Sequence, residues 1–239
     1  MDASQPISGQ VALVTGASRG IGLAIARRLG QMGARVAICA LGEDALRTAA
    51  EQLRGLGIET FAHRADVSVE ADVSALVHQT TETLGEIDIL VNNAGIGIFG
   101  PLQQLAPTDW DRVMDTNLKS VFLCSRAVAP QMIRRRTGHI INISSLAGKN
   151  AFAGGGVYCA SKWGLQGLTA CMAEDLRAHG IRVSAVCPGS VDTQFSPHSG
   201  KDPAKMLQAD DVAHAVALLV TQAPQSFISE ILLRPTQKP

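Results

Sequence analysis

Short apolar runs alternate with longer amphipathic stretches along nearly the whole chain. The first run, residues 11–15, reads Val-Ala-Leu-Val-Thr, and glycine follows it at once. A continuous apolar run of this length, bounded by turn residues, reads as a strand covered on both faces. From 23 to 32 the apolar positions recur at helical spacing, and Gly33 closes the stretch. The same two textures then repeat. Strands are predicted at 35–40, 58–65, 87–91, 138–143, 181–187 and 227–234. Helices are predicted ending near 53, over 69–84, from about 107 to 135, through Tyr158 to about 179, and over 210–222. Strands alternating with helices imply one parallel sheet, helices on both faces and right-handed crossovers. No repeat, low-complexity tract or linker interrupts the pattern, so 1–239 reads as a single α/β domain. The stretch 194–208 carries Pro, Gly, Ser and Lys with little periodicity and reads as a mobile loop over a site.

Composition sharpens this picture. The chain is 46% hydrophobic but only 4% aromatic, which suits a core of aliphatic strands. Lys plus Arg and Asp plus Glu each number 21, so no basic field points to nucleic acid or to an anionic membrane. The cationic run Arg134-Arg135-Arg136 reads as a solvated helix C-terminus. The five cysteines show no CxxC pair and no metal-ligand spacing, so no metal is expected and a reduced, cytoplasmic protein is. Residues 1–10 lack the features of a signal peptide, and no apolar run reaches the ~18 residues of a membrane span.

Candidate chemistry gathers at the strand ends. The first strand runs into Gly16-Ala17-Ser18-Arg19-Gly20-Ile21-Gly22, and a helix follows; strand, glycine turn and helix together point to phosphate binding. The second strand ends Ala40-Leu41-Gly42, without the acid that would bind adenosine ribose hydroxyls. That absence permits a 2′-phosphate, and Arg19 could pair with it, so NADP(H) is expected rather than NAD(H). Asp66-Val67 ends the third strand, and Asn92-Asn93-Ala94-Gly95 the fourth. Asn117 stands among apolar residues of the long helix, where a structural bridge and a water relay both fit. The fifth strand delivers Ser144 and Ser145, and the sixth ends at Pro188-Gly189 before Val191 and Thr193. Tyr158 and Lys162 lie four residues apart, one face of a helix. An ammonium beside a phenol favours the phenolate and pulls the tyrosine pKa down, and Ser145 could hydrogen-bond the oxygen whose proton moves. That set suits interconversion of a carbonyl and an alcohol.

Taken in order, these motifs resemble the short-chain dehydrogenase/reductase family over nearly the full chain. Thr15 to Gly22 is similar to its TGxxxGxG motif and Asn92 to Gly95 to its NNAG. Asn117, Ser145, Tyr158 and Lys162 match its catalytic tetrad, and Pro188-Gly189 its PG motif. The resemblance implies a Rossmann fold with a seven-stranded sheet in the order 3-2-1-4-5-6-7. It makes Tyr158 the general acid/base, Ser145 the group that orients the carbonyl and Lys162 a ribose ligand that lowers the tyrosine pKa. Asn117 would hold a relay water. Gly16, Ser18, Arg19, Gly20 and Ile21 would line the pyrophosphate and adenosine, Asp66 and Val67 the adenine, Asn93 with Ala94 and Gly95 the ribose side. Val191 and Thr193 would meet the carboxamide, and Pro188 and Gly189 would belong to the same cofactor site. The glycine loop with Arg19 is similar to that of NADP-dependent 3-oxoacyl-(acyl-carrier-protein) reductases. Two departures are the short loop between Thr193 and Asp210 and a last strand ending in Pro235 without a glycine pair. An acyl thioester therefore stands beside a small ketone, aldehyde, 3-hydroxy acid or sugar alcohol as substrate. The resemblance also implies a homo-oligomer, tetramer or dimer, formed through apolar faces near Phe122 and Leu165. A non-catalytic dinucleotide sensor is the rival of another class, and it has no need of the proton-transfer residues.

Overall fold

The computed structural model describes residues 5–195, 200 and 202–239. Its strands are β1 (Val11–Thr15), β2 (Arg35–Ala40), β3 (Thr60–Arg64), β4 (Ile89–Asn92), β5 (Gly138–Ile143), β6 (Ile181–Pro188) and β7 (Glu230–Leu233). They form one sheet in the order β3-β2-β1-β4-β5-β6-β7, every pair parallel. Strand order and direction match the expectation from sequence. The helices are α1 (Gly20–Gln31), α2 (Glu43–Gly55), α3 (Glu70–Leu84), α4 (Pro107–Met114), α5 (Ser120–Arg135), α6 (Gly156–Arg177) and α7 (Ala209–Val220).

Side chains alternate between the two faces of a strand, so a sheet covered on both sides needs apolar residues at every position. In β1, Ala12 and Val14 join Ile25 and Leu29 of α1 and Val216 and Leu219 of α7 on one face. Val11 and Leu13 join Leu76 of α3 and Val128 and Met132 of α5 on the other. The connection from β1 to β2, through α1, covers one face, and the one that enters β4 from β3, through α3, covers the other. A crevice opens there, beyond the C-terminal ends of the strands.

Two expectations are corrected. The helix expected over 107–135 is interrupted by a π-helical turn, Asp115–Lys119, between α4 and α5. The extra residue in the turn carries Asn117 to a fully buried position, and single π turns of this kind mark functional sites in many folds. Of the loop expected over 194–208, residues 196–199 and 201 lie outside the described residues. Its far end is tied down, not free: Leu207 N donates to Ser190 O at 2.9 Å and Asp192 N to Leu207 O at 2.8 Å. No helix among the described residues is long and apolar enough to cross a membrane. Nor do they contain a group of three or more His, Cys, Asp or Glu placed to hold a metal ion.

Candidate active site

The turns after β1 and β4 are built against each other. Gly16 has φ +63°, and a Cβ there would lie 2.7 Å from Ala94 Cα, so only glycine permits the approach. Thr15 Oγ1 accepts from the backbone N–H of Asn93 and of Ala94, each at 3.0 Å. Asn93 Nδ2 donates to Thr15 O at 2.9 Å and to Gly16 O at 3.1 Å. The Asn93 amide nitrogen is therefore engaged by the glycine loop. Its role in the expected ribose contact is limited to the atoms that remain.

Beyond that clamp, α1 begins with no side-chain cap and no acid in its first turn. Its leading N–H groups and the positive end of its dipole face the crevice unneutralised, which suits a phosphate. Arg19 is exposed, and its Nη1 donates to Gln194 Oε1 at 2.9 Å. Thr193 closes in from the other side, its Cγ2 3.6 Å from where a Gly20 Cβ would stand. The missing acid at Ala40 has a counterpart that sequence reasoning overlooked. Ala40 is in register with Arg64 at the end of β3, so an exposed cation stands next to that strand end. The signal for it was the cation next to last in the predicted third strand, 58–65. The Asp66 carboxylate, in contrast, accepts from Ser68 N at 2.9 Å and Ser68 Oγ at 2.6 Å and is fastened to its own turn.

Across the crevice, β5 delivers Ser145, whose Oγ accepts from Ala147 N at 3.0 Å and so caps the short turn Leu146–Gly148. Tyr158, in the first turn of α6, is only 8% exposed. Burial pushes its pKa up to about 12, against a smaller lowering from the Ser145 hydrogen bond. The lowering expected from Lys162 is not what the geometry gives. Lys162 Nζ lies 5.9 Å from the centre of the Tyr158 ring and donates to Ile143 O at 2.9 Å. Its own burial lowers it to about 8. Loss of water around the phenol outweighs the Ser145 hydrogen bond. Tyr158 is thus held in its protonated form.

Asn117 fastens this cluster from behind. Its Oδ1 accepts from Ile96 N at 2.8 Å, and its Nδ2 donates to Ile96 O at 2.9 Å and to Ser161 Oγ at 3.0 Å. These contacts form a structural bridge of the kind the sequence allows. Pro188 is the last residue of β6, Gly189 N donates to Leu233 O at 2.9 Å, and Val191 bridges Leu207. Ser144 Oγ is buried without a hydrogen-bond partner. Sequence reasoning also missed Phe99, Phe152 and Phe195. Phe99 and Phe195 follow shortly after Gly95 and Thr193, and Phe152 precedes Tyr158 by a few residues. Ring spacing was the available signal in a chain so poor in aromatics. At the proposed oligomer face the correction is smaller: Leu165 is a core residue at 1% exposure, and Trp163 is the one that faces outward, at 53%.

A model of the family described as short chain dehydrogenase matches residues 10–204. A crystal structure of a metagenomic short-chain oxidoreductase in complex with NADP is 50% identical, covering 98% of this chain and 100% of that one, with a TM-score of 0.87. A variant of actinorhodin polyketide ketoreductase solved with NADPH is 37% identical over 97% of this chain and 98% of its own, with a TM-score of 0.90. The 3-oxoacyl-[acyl-carrier-protein] reductase of Staphylococcus epidermidis is 39% identical over 221 residues, 88% of this chain and 91% of that one. Motif order, sheet order and these likenesses agree: the chain belongs to the short-chain dehydrogenase family of oxidoreductases.

Proposed function

We propose that the protein interconverts a carbonyl and an alcohol with NADP(H), and that Tyr158 gives or takes the proton. The observation that carries this is a buried phenol, hydrogen-bonded by Ser145 and flanked by Lys162, beside an uncapped helix N-terminus. Gly16, Ser18, Gly20 and Ile21 hold the pyrophosphate at that N-terminus, with a fit supported by the Gly16 approach to Ala94. Arg19 and Arg64 neutralise a 2′-phosphate. Asp66 and Val67 flank the adenine. Asn93, Ala94, Gly95 and Lys162 serve the ribose side, and Pro188, Gly189, Val191 and Thr193 the carboxamide end. The bound dinucleotide supplies or accepts the hydride. In the reducing direction Ser145 orients the carbonyl oxygen and Tyr158 delivers its proton there, a group kept protonated by its burial. Asn117 positions the turn at Ile96 and, through Ser161, the helix that carries Tyr158. The NADP, NADPH and reductase in the names of the similar proteins support this reading. The chain assembles as a homo-oligomer through α5 and α6, where Phe122 and Trp163 are 45% and 53% exposed.

A 3-oxoacyl thioester is the substrate that the Staphylococcus relative's name supports. A compact apolar carbonyl is favoured by something in this chain itself, the phenylalanines beside Tyr158. The test is Tyr158→Phe, assayed with NADPH and a panel of carbonyls while NADPH binding is titrated separately. Binding is expected to survive while turnover falls about a thousandfold. Unchanged turnover removes Tyr158 from the chemistry.

A further inference from the structure

Three of the six phenylalanines surround the one tyrosine of the chain. Phe99 meets the Tyr158 ring edge-on, centroids 5.3 Å apart and planes at 66°. Phe195 lies 5.9 Å from the same ring, tilted by 54°. Phe152 extends the group, 6.1 Å from Phe99. They come from separate segments: the stretch after β4, the loop before α6 and the stretch after β6. Glycine makes room for them. A Cβ on Gly97 would lie 2.7 Å from the Phe99 ring and 3.1 Å from Phe195 Cε1, so any side chain at 97 would displace one of the two.

A small private core is the plain alternative, and exposure speaks against it. Tyr158 is 8% exposed, but Phe99, Phe152 and Phe195 keep 39%, 49% and 43% of their surface open. A single exposed phenylalanine is ordinary on a protein surface. Two that pack on the Tyr158 ring and a third that extends them, at the crevice where a substrate must arrive, form an apolar wall for a ligand. Rings of this kind select by shape and polarity as well as by burial: flat π systems prefer edge-to-face and offset contacts, as the Phe99–Tyr158 pair already shows. A saturated ring buries a similar area without a flat face.

We propose that the substrate bears an aromatic ring on the reacting carbonyl carbon, an aryl ketone or aryl aldehyde, and that Phe99, Phe152 and Phe195 hold that ring. This rests on the reading of Tyr158 given above. Hydride from NADPH adds to the carbonyl carbon, the C=O π bond breaks, and the Tyr158 proton goes to the oxygen. An aryl carbinol and NADP+ result, and the phenolate is reprotonated from solvent.

The experiment measures kcat/KM with NADPH for acetophenone, cyclohexyl methyl ketone and acetoacetyl-CoA, in the parent and in Phe152→Leu and Phe99→Leu. Comparing the ratio of aryl to cyclohexyl ketone between parent and variant cancels their intrinsic reactivities. That ratio is expected to fall about five- to tenfold in each variant. An unchanged ratio overturns the proposal. Reduction of none of the three overturns the reductase reading instead. Calorimetric titration of the NADP-loaded Tyr158→Phe variant, in which turnover is suppressed, with 1-phenylethanol and 1-cyclohexylethanol then reads the ring pocket by itself. Preference for the aryl alcohol by about fivefold sustains the pocket, and equal affinities overturn it.

Discussion

At the N-terminal end of the sheet the protein supplies partners for its own polar groups. Asp88 Oδ2 accepts from Val11 N at 2.8 Å, and its other oxygen pairs with Arg135 Nη1 at 2.5 Å. Arg135 Nη2 donates to Ile87 O at 2.6 Å, and Ile87 N to Gln131 Oε1 at 2.9 Å. Ser184 Oγ gives its one proton to Ile228 O at 2.6 Å, so His139 Nε2, 2.9 Å away, must be the donor to it. At the C-terminal end the same sheet leaves its groups facing outward. The N–H groups of α1 are uncapped, Arg19 and Arg64 are exposed, and three phenyl rings stand half open. One end of the sheet pairs most of its own polar groups, His139 Nδ1 and Arg182 Nη1 excepted, and holds the fold, while the other presents groups that the proposed ligands would complete. Substitutions should therefore separate cleanly, changing stability at one end and chemistry at the other.

The sharpest separation is expected from Tyr158→Phe. Beside a loss of turnover of about a thousandfold, it should leave the urea midpoint nearly where it was, since one hydrogen bond contributes about 1 kcal/mol. A large fall in the midpoint would mean that the catalytic end also holds the fold.

His139 offers the opposite case through pH. Burial first, and Arg182 second, lower its pKa to about 3. The unfolded chain takes up the proton near the ordinary imidazole value of 6.5, while the folded protein resists it down to about 3. Stability is therefore intact above pH 6.5 and is lost as pH falls through that window, by about 3 kcal/mol between pH 7 and pH 4. His139→Asn should be less stable at neutral pH but lose correspondingly less over the same interval. Parallel losses in urea titrations at the two pH values would contradict this. Asp88→Ala comes next: two partners lose their acceptor, but the site is partly open to water, so about 2 kcal/mol is expected. NADPH affinity of the folded variant should not change.

The strands were the legible part of the sequence, whereas Arg135, read as part of a solvated helix end, is paired with Asp88 and Ile87 O. A strand buried on both faces has to be apolar throughout, and residues 11–15 show that without any tertiary knowledge. The glycine turn, the Asn pair and the Tyr-Lys spacing were legible for a similar reason, because each is local. What depends on distant parts of the chain was not. The Asn pair splits into two tasks. Asn92 Nδ2 donates to Ser125 Oγ and Asn142 Oδ1 inside the fold, while Asn93 holds the glycine loop. The π turn exists because Asn117 must reach Ile96 and Ser161, residues far from it in sequence. The direction of the Tyr158 shift depended on how deeply the phenol lies. The phenyl wall was hidden because its members are separated by more than forty residues each.

The mildest test concerns the open end alone. Arg19 is exposed and already hydrogen-bonded to Gln194, so its pairing with a 2′-phosphate works against solvent screening. Arg19→Ala should weaken NADPH binding only about fivefold and leave NADH binding nearly unchanged, since NADH lacks the phosphate. Arg64, beside Ala40 at the neighbouring strand end, supplies the second positive charge in this account. The double variant should therefore lose more of the NADPH preference than either substitution alone, and the difference should shrink as salt is raised. Equal weakening of both cofactors would place Arg19 in the architecture of the loop. An unaltered preference in the double variant would shift cofactor choice away from both arginines, to the shape left by the missing acid at Ala40.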